Sequence, residues 1–116
     1  MASFLARLGV LVLLGGCAGA MLPPLSPAQI EWAGQQWRDM GAERLEEARL
    51  LYVIRCSGCH NLFLPTAKEA GEWEQILPKM AERAKLTDVQ RDEIWRYLQT
   101  ARSAAAVDTT TGKADR

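Results

Sequence analysis

Two cysteines and a histidine lie within five consecutive residues, Cys56-Ser57-Gly58-Cys59-His60, and this histidine is the only one in the chain. In a helical turn, residues three and four positions apart share a face, so both thiols and the imidazole would point the same way. Covalent haem attachment requires this arrangement, because each thiol adds across a haem vinyl group and the imidazole then binds the iron axially. The motif therefore predicts one c-type haem held by Cys56, Cys59 and His60.

A pair of cysteines at this spacing also occurs in disulfide oxidoreductases and in zinc sites. The oxidoreductase motif belongs to a βαβ setting, whereas the sequence around Cys56 predicts helices. A structural zinc site needs a fourth ligand, and the third cysteine, Cys17, lies far upstream. Thiol redox chemistry and zinc binding therefore stay as the weaker alternatives to haem attachment.

The size and charge of the chain limit its possible functions. It has 116 residues, with 14 basic and 14 acidic side chains. The length fits one domain at most. The balanced charge gives no basic surface of the kind that binds nucleic acid, so nucleic acid is excluded as a partner.

The amino terminus has the pattern of an export signal over residues 1–16. Arg7 supplies a positive start, and the apolar run Leu8–Leu14 is too short to span a bilayer. The next residues, Leu14-Gly15-Gly16-Cys17, resemble the lipobox of bacterial lipoproteins. This resemblance implies that Cys17 receives a diacylglyceryl group and that residues 17–25, rich in small residues and proline, form a lipid-anchored tether.

Two alternatives remain for this segment. Ala18-Gly19-Ala20 also fits an ordinary signal-peptidase site, which would release a soluble periplasmic protein. The apolar stretch from Phe4 to Leu22 would otherwise stay uncleaved as a marginal membrane anchor. All three outcomes place the domain outside the cytoplasm, where c-type haem is attached in bacteria, and we favour the lipid-anchored form on the periplasmic side of a bacterial membrane.

Apolar periodicity and capping signals predict four helices. The first, an additional amphipathic helix within residues 26–41, starts at a Ser26 cap and runs to about Met40. The second runs from about Glu43 into the haem motif. The third and fourth begin at capping boxes, and residues 104–116 form a low-complexity tail that we expect to be disordered.

The third helix carries two further signals. Its capping box is Thr66-Ala67-Lys68-Glu69, and Pro78 is expected to kink or end it, which would push Met80 out of the regular ladder and toward the iron. The fourth helix begins at the capping box that opens with Thr87.

Each helix has a face of apolar residues that repeats with the helical period. We expect the first helix to pack on the rest of the domain, with a partner or membrane contact of Trp32 and Trp37 as the alternative. The predicted faces are Ile30, Ala33, Trp37 and Met40; Leu45, Ala48, Tyr52 and Cys56; Trp73, Ile76, Leu77 and Met80; and Ile94, Tyr97, Leu98 and Ala101.

The spacing of small and aromatic residues before the motif resembles that of a known family. Ala48 and Tyr52 lie eight and four residues before Cys56, and the run Asp92–Leu98 lies in the last helix. Small class I c-type cytochromes carry a glycine eight residues before the first haem cysteine and an aromatic residue four before it. Their terminal helices cross at these two positions. The resemblance implies an all-α cytochrome c-like fold around one haem over residues 42–103, with Tyr97 against Ala48 and Tyr52.

The second axial ligand must come from another residue type, because the chain has one histidine. The candidates are Met80, Met40 and Met21, and an open or exogenous sixth position is the alternative. We favour Met80, because the segment Trp73–Leu98 resembles a compact subset of the family. Members of that subset have a tryptophan, a methionine about seven residues later and then the final helix. The carbonyl of Pro65 is the expected acceptor for the Nδ1 proton of His60.

These features predict a protein that is not an enzyme and carries single electrons between redox partner proteins in the periplasm or membrane. The alternatives are a haem-bearing subunit of a larger periplasmic oxidoreductase and a haem sensor with an open sixth coordination site.

Overall fold

Four α-helices make up the fold in the computed structural model, which describes residues 22–57 and 62–103. Those residues contain no strand, which confirms the predicted all-α class. The elements are α1 (Pro27–Gln36), α2 (Ala42–Cys56), a short 3₁₀ helix (Pro65–Ala67), α3 (Ala70–Arg83) and α4 (Asp88–Arg102).

The crossing of α2 and α4 forms the centre of the fold. The buried residues of α2 are the four that its period predicts, Leu45, Ala48, Tyr52 and Cys56. The rings of Tyr52 and Tyr97 lie 6.0 Å apart between centroids, so the two helices meet at the aromatic residues that the family resemblance implied. Thr87 caps α4 through the predicted capping box.

Two apolar clusters form the core. The larger one joins α2, α3 and α4 with the start of the described chain, and the smaller one joins α1 to the beginning of α2. The buried members are Leu22, Ala48, Tyr52, Cys56, Trp73, Leu77, Ile94, Tyr97 and Leu98 in the first, and Ala33, Met40 and Leu45 in the second.

Helix α1 begins at the predicted Ser26 capping box but ends at Gln36, not near Met40. The backbone of Trp37 is extended, and the Met40 amide donates to the Trp37 carbonyl at 3.1 Å. This turn allows the fully buried Met40 to pack in the second cluster. It also places the Asp39 Oδ1 atom 3.0 Å from Nη1 of Arg96 in α4. The predicted end was wrong because contacts with distant residues outweigh the local helical period.

The packing of α1 on the domain is as predicted. Its buried Gln29 donates from Nε2 to the carbonyl of Ala101 in α4 at 3.2 Å. Trp32 and Trp37 are each half-buried and make an edge-to-face contact at 5.7 Å. Both pack against the second cluster, so the helix is part of the folded unit.

The start of α3 differs from the prediction. The expected capping box at Thr66 does not form, because Pro65–Ala67 makes a 3₁₀ turn that the Ala67 amide closes on the Leu64 carbonyl at 2.9 Å. Proline suits the first position of such a turn, since its φ is already fixed. Lys68 is then extended, and α3 begins at Ala70 with Glu69 as its N-cap residue.

Helix α3 does not end at Pro78, which lies inside it. The missing N–H would have bonded to the carbonyl of Glu74, and both residues are exposed, so solvent reaches the carbonyl that the proline leaves. Met80 therefore stays in the helix, and its carbonyl accepts from the Ala84 amide at 2.9 Å. The expectation that Pro78 pushes Met80 out of the ladder is wrong.

The chain before α1 is attached to the core. Leu22 is 3% exposed within the larger cluster, and Arg49 of α2 donates from Nη1 to its carbonyl at 3.3 Å. The last part of the predicted tether, residues 22–25, therefore lies on the domain. Three predicted features lie outside the described residues: the export signal, the lipidation of Cys17 and the tail at 104–116. Within residues 22–57 and 62–103, no helix has the length and apolar character needed to cross a membrane.

The crossing of α2 and α4 leads to a first prediction. Ala48 is 1% exposed, so Ala48→Leu is expected to lower the free energy of unfolding by about 1–3 kcal/mol through overpacking. Denaturant titration of the protein, followed by circular dichroism, measures this change. Glu47→Leu, on the exposed face of the same helix, is the control and is expected to change stability by less than about 0.5 kcal/mol. Equal losses in both variants would contradict this packing.

Candidate haem-binding site

The first residue of the motif lies in the core. Cys56 is the last residue of α2, is 5% exposed and belongs to the larger cluster. Ser57 continues the helical backbone with φ −75° and ψ −14°. Gly58, Cys59, His60 and Asn61 lie outside the described residues, so the expected arrangement of the second thiol and the imidazole stays a prediction.

The segment that follows the motif returns to the same cluster. Leu62 packs against it, and two buried aromatic donors of the cluster bond to the next backbone carbonyls. The Tyr52 hydroxyl donates to the Phe63 carbonyl at 2.6 Å, and Trp73 Nε1 donates to the Pro65 carbonyl at 2.8 Å. Both described ends of the motif are therefore fixed to one apolar cluster.

Three aromatic rings surround this attachment. Tyr52 lies edge-to-face against Trp73 at 6.1 Å and contacts Tyr97 at 6.0 Å. Burial, with a further contribution from the neighbouring Cys56, raises the pKa of Tyr52 well above its ordinary value. Burial likewise raises the pKa of Tyr97 to about 12. Both phenols are therefore neutral at physiological pH, and the Tyr52 hydroxyl keeps the proton that it donates.

The methionine candidates fall in different places. Met80 is half-buried on α3 and packs against the cluster that contains Cys56. Met40 is fully buried in the smaller cluster with Ala33 and Leu45, and Met21 lies outside the described residues. Of the two methionines with a described position, the structure brings Met80 to the cluster that contains Cys56.

Trp73 is fully buried in the larger cluster. Its indole N–H has a role that the sequence analysis missed, because it donates to the Pro65 carbonyl, which that analysis expected to accept from His60. A carbonyl oxygen has two lone pairs, so the Pro65 oxygen can accept a second hydrogen bond. The sequence did contain a signal for this bond. Tyr52 and Trp73 both lie on predicted core faces, and a buried tyrosine or tryptophan needs a hydrogen-bond partner.

The described residues around the motif fit an apolar prosthetic group. A thiol points into an apolar cluster at Cys56, and large apolar side chains flank the motif on both sides. Ile54 is 70% exposed before it, and Phe63 is 40% exposed after it. Within residues 22–57 and 62–103, no cluster of histidine, cysteine and carboxylate residues could hold a metal ion.

Comparisons of the chain with protein-family models, with curated proteins and with solved structures found no match.

The high pKa of Tyr97 leads to a second prediction. A neutral buried phenol stabilises the fold below its ordinary pKa of 10.0, and this contribution is lost as the pH rises toward about 12. Tyr97→Phe is therefore expected to move the midpoint of alkaline unfolding to a higher pH. Circular dichroism and tyrosinate absorbance during an alkaline titration measure this midpoint, and an unchanged midpoint would contradict the prediction.

Proposed function

We propose that this chain binds one haem covalently through Cys56 and Cys59, with His60 and Met80 as axial ligands, and carries single electrons at the periplasmic side of a bacterial membrane. The observation that supports the proposal best is the position of Cys56 and Met80. They are 24 residues apart in the sequence, yet both lie at one apolar cluster. A thiol for covalent attachment and a thioether for iron ligation are thus both available at this cluster, as a bound haem would require.

The residues of the chain have separate roles in this proposal. The two thiols form thioether bonds, the imidazole and the Met80 thioether bind the metal, and the apolar side chains of the cluster exclude water. Bound haem supplies an iron that alternates between the ferrous and ferric states. Thioether ligation favours the reduced state, because a soft sulfur ligand stabilises ferrous iron.

The size of the domain also supports an apolar prosthetic group. The segment 42–103 is short, and a chain of this length buries a small apolar core. A covalently attached macrocycle adds a large apolar surface at the cluster, which stabilises the folded state beyond what the side chains supply.

The attachment of Leu22 limits the distance of this domain from the membrane. If Cys17 carries the lipid, five residue steps separate it from Leu22, and a fully extended chain of that length spans about 17 Å at most. Because Leu22 is fixed to the core, the haem domain is held near the lipid surface and its redox partners must approach it there.

A specific observation also favours a second function, that of a haem-bearing subunit in a larger periplasmic oxidoreductase. Leu50 and Ile54 lie one turn apart on α2 and are 45% and 70% exposed. An apolar strip beside the motif is suited to a protein interface. Size-exclusion chromatography of a mild membrane extract distinguishes the two functions, since a free carrier elutes at its own size.

The covalent attachment gives a third prediction. The intact mass of the exported wild-type protein is expected to exceed that of the processed, lipidated chain by one haem, and Cys56→Ala is expected to lose one of the two thioether bonds. Ser57→Ala, between the two cysteines, is the control and keeps both bonds. Mass spectrometry and a pyridine haemochrome spectrum measure these outcomes. A wild-type mass without haem would overturn the proposed function.

The sixth ligand gives a fourth prediction. The reduced wild-type protein is expected to resist carbon monoxide, because the Met80 thioether occupies the sixth position. Met80→Ala should bind the gas promptly and have a lower reduction potential. Met40→Leu, a change of similar volume in the other cluster, is expected to behave as wild type. Prompt binding by the wild type would favour the sensor with an open site.

A further inference from the structure

We propose that two copies of this chain associate through the outward face of α2, with their α2 helices antiparallel around a two-fold axis close to Leu50. The outward face consists of Glu43, Glu47, Leu50 and Ile54, all of which are exposed. The inference goes beyond the proposed function and does not depend on haem. It assigns the exposed apolar residues of α2 to contact with a second copy of the same chain.

The outward face lies opposite the buried face of the same helix. With about 3.6 residues per turn, its four residues are centred roughly 180° around the helix axis from the four that pack in the core. Leu50 and Ile54 are nevertheless large and apolar, with exposed fractions of 45% and 70%. Burial of these two side chains against a partner would stabilise the complex, because it removes apolar surface from water.

The amino-terminal end of the outward face is negative. Glu43 and Glu47 make no ion pair within the described residues, and the neighbouring Arg44 is paired instead with Asp39 and Glu93. Both carboxylates are therefore available to a cation from another molecule.

The carboxyl-terminal end of α2 is positive. Arg55 follows Ile54 directly, and no carboxylate of residues 22–57 and 62–103 forms an ion pair with it. Its Nη2 atom donates to the Lys85 carbonyl at 3.2 Å. A guanidinium has five N–H donors, so others remain for a carboxylate of a second copy.

An antiparallel pair brings these opposite charges together. If the two-fold axis passes at the level of residues 50 and 51, Glu47 of each copy lies at the level of Arg55 of the other. The helical period places both residues on the same flank of the outward face, and the two-fold axis keeps that flank together in the pair. Two equivalent ion pairs then surround the contact of Leu50 with its counterpart.

A parallel pair would have the opposite effect. It would place Glu47 beside Glu47 and Arg55 beside Arg55, and like charges across an interface disfavour association. The distribution of charge along α2 therefore selects the antiparallel arrangement.

The contact is expected to be weak. Helix α2 has 15 residues and is about 22 Å long, so one helix-to-helix contact buries less than the roughly 800 Å² per partner of a standard interface. The dimer therefore dissociates on dilution, and the free carrier elutes as a monomer from a size-exclusion column. Denaturant titrations at low protein concentration likewise measure the monomer, so Glu47→Leu stays a valid control for stability.

Cysteine cross-linking tests the arrangement of the two helices. Leu50→Cys is expected to form a disulfide between copies, because a position at the axis brings the two Cα atoms within the roughly 7 Å that a disulfide allows. Ile54→Cys is expected to cross-link poorly, since the axis separates its two copies by about 10 Å along the helix. Mild oxidation of the purified full-length protein, followed by a non-reducing gel, measures the covalent dimer.

Two controls define the background of this experiment. Val89→Cys changes a residue of α4 that is 63% exposed, which is close to the exposure of Ile54, and it is expected to cross-link as little as the wild type. The oxidised wild type reports any dimer formed by its own cysteines. More dimer from Ile54→Cys than from Leu50→Cys, or equal amounts from all three variants, would overturn the proposal.

A charge exchange tests the ion pairs. Glu47→Arg and Arg55→Glu are each expected to weaken association about tenfold, because each places like charges opposite one another. The double variant Glu47→Arg/Arg55→Glu should restore association, since the same pair forms with its charges exchanged. Glu31→Arg, the same change at an exposed residue of α1, is the control and is expected to associate as the wild type does.

Sedimentation velocity over a range of protein concentrations measures these dissociation constants. A double variant as weak as the single variants, or a wild type that stays monomeric up to about 1 mM, would refute the proposed dimer. A wild-type mass without haem refutes the proposed function and leaves the association experiments unaffected, so the two failures are distinguishable.

Discussion

The contact of α2 with α4 is the constraint on which the other features depend. Ala48 allows the helices to approach closely, and one turn later Tyr52 contacts Tyr97. Cys56 follows after another turn on the same face, so the crossing determines that the first thiol of the motif points into the core. Trp73 completes the group by packing against Tyr52, which joins α3 to the crossing.

The polar atoms of this aromatic group explain how an irregular segment becomes part of the core. A buried phenol or indole needs a hydrogen-bond partner, and the carbonyls of a non-helical segment need donors. The bonds from Tyr52 to Phe63 and from Trp73 to Pro65 satisfy both requirements together. The described residues after the motif are thereby fixed to the same cluster as those before it, as the proposed haem attachment would require.

The ends of the domain are attached to the same unit. Leu22 inserts into the larger cluster, while Gln29 of α1 bonds to the last turn of α4. The turn after α1 is held by ion pairs of Asp39 with Arg44 and Arg96 at 3.6 and 3.0 Å. These pairs are largely exposed, so each contributes little alone, but together they fix where the turn lies.

The sequence by itself determined the four helices, the whole buried face of α2, part of the buried faces of the other helices, and the starts of α1 and α4. Helical period and capping boxes are interactions between residues at most a few positions apart, so they can be identified from the sequence without knowledge of the fold. The haem chemistry of the motif also follows from local spacing, and it stays a prediction. The meeting of Tyr52 and Tyr97 followed from the family resemblance rather than from local interactions.

Only the tertiary structure decided that α1 ends at Gln36, that α3 continues through Pro78 and that Leu22 is buried. It also decided which carbonyls accept the hydrogen bonds of the aromatic donors. Each of these depends on a partner far away in the sequence or on solvent at one face of a helix. Asp39 and Arg96, for example, are 57 positions apart. The sequence contains no local signal for such a pair, because it forms only after the helices have packed.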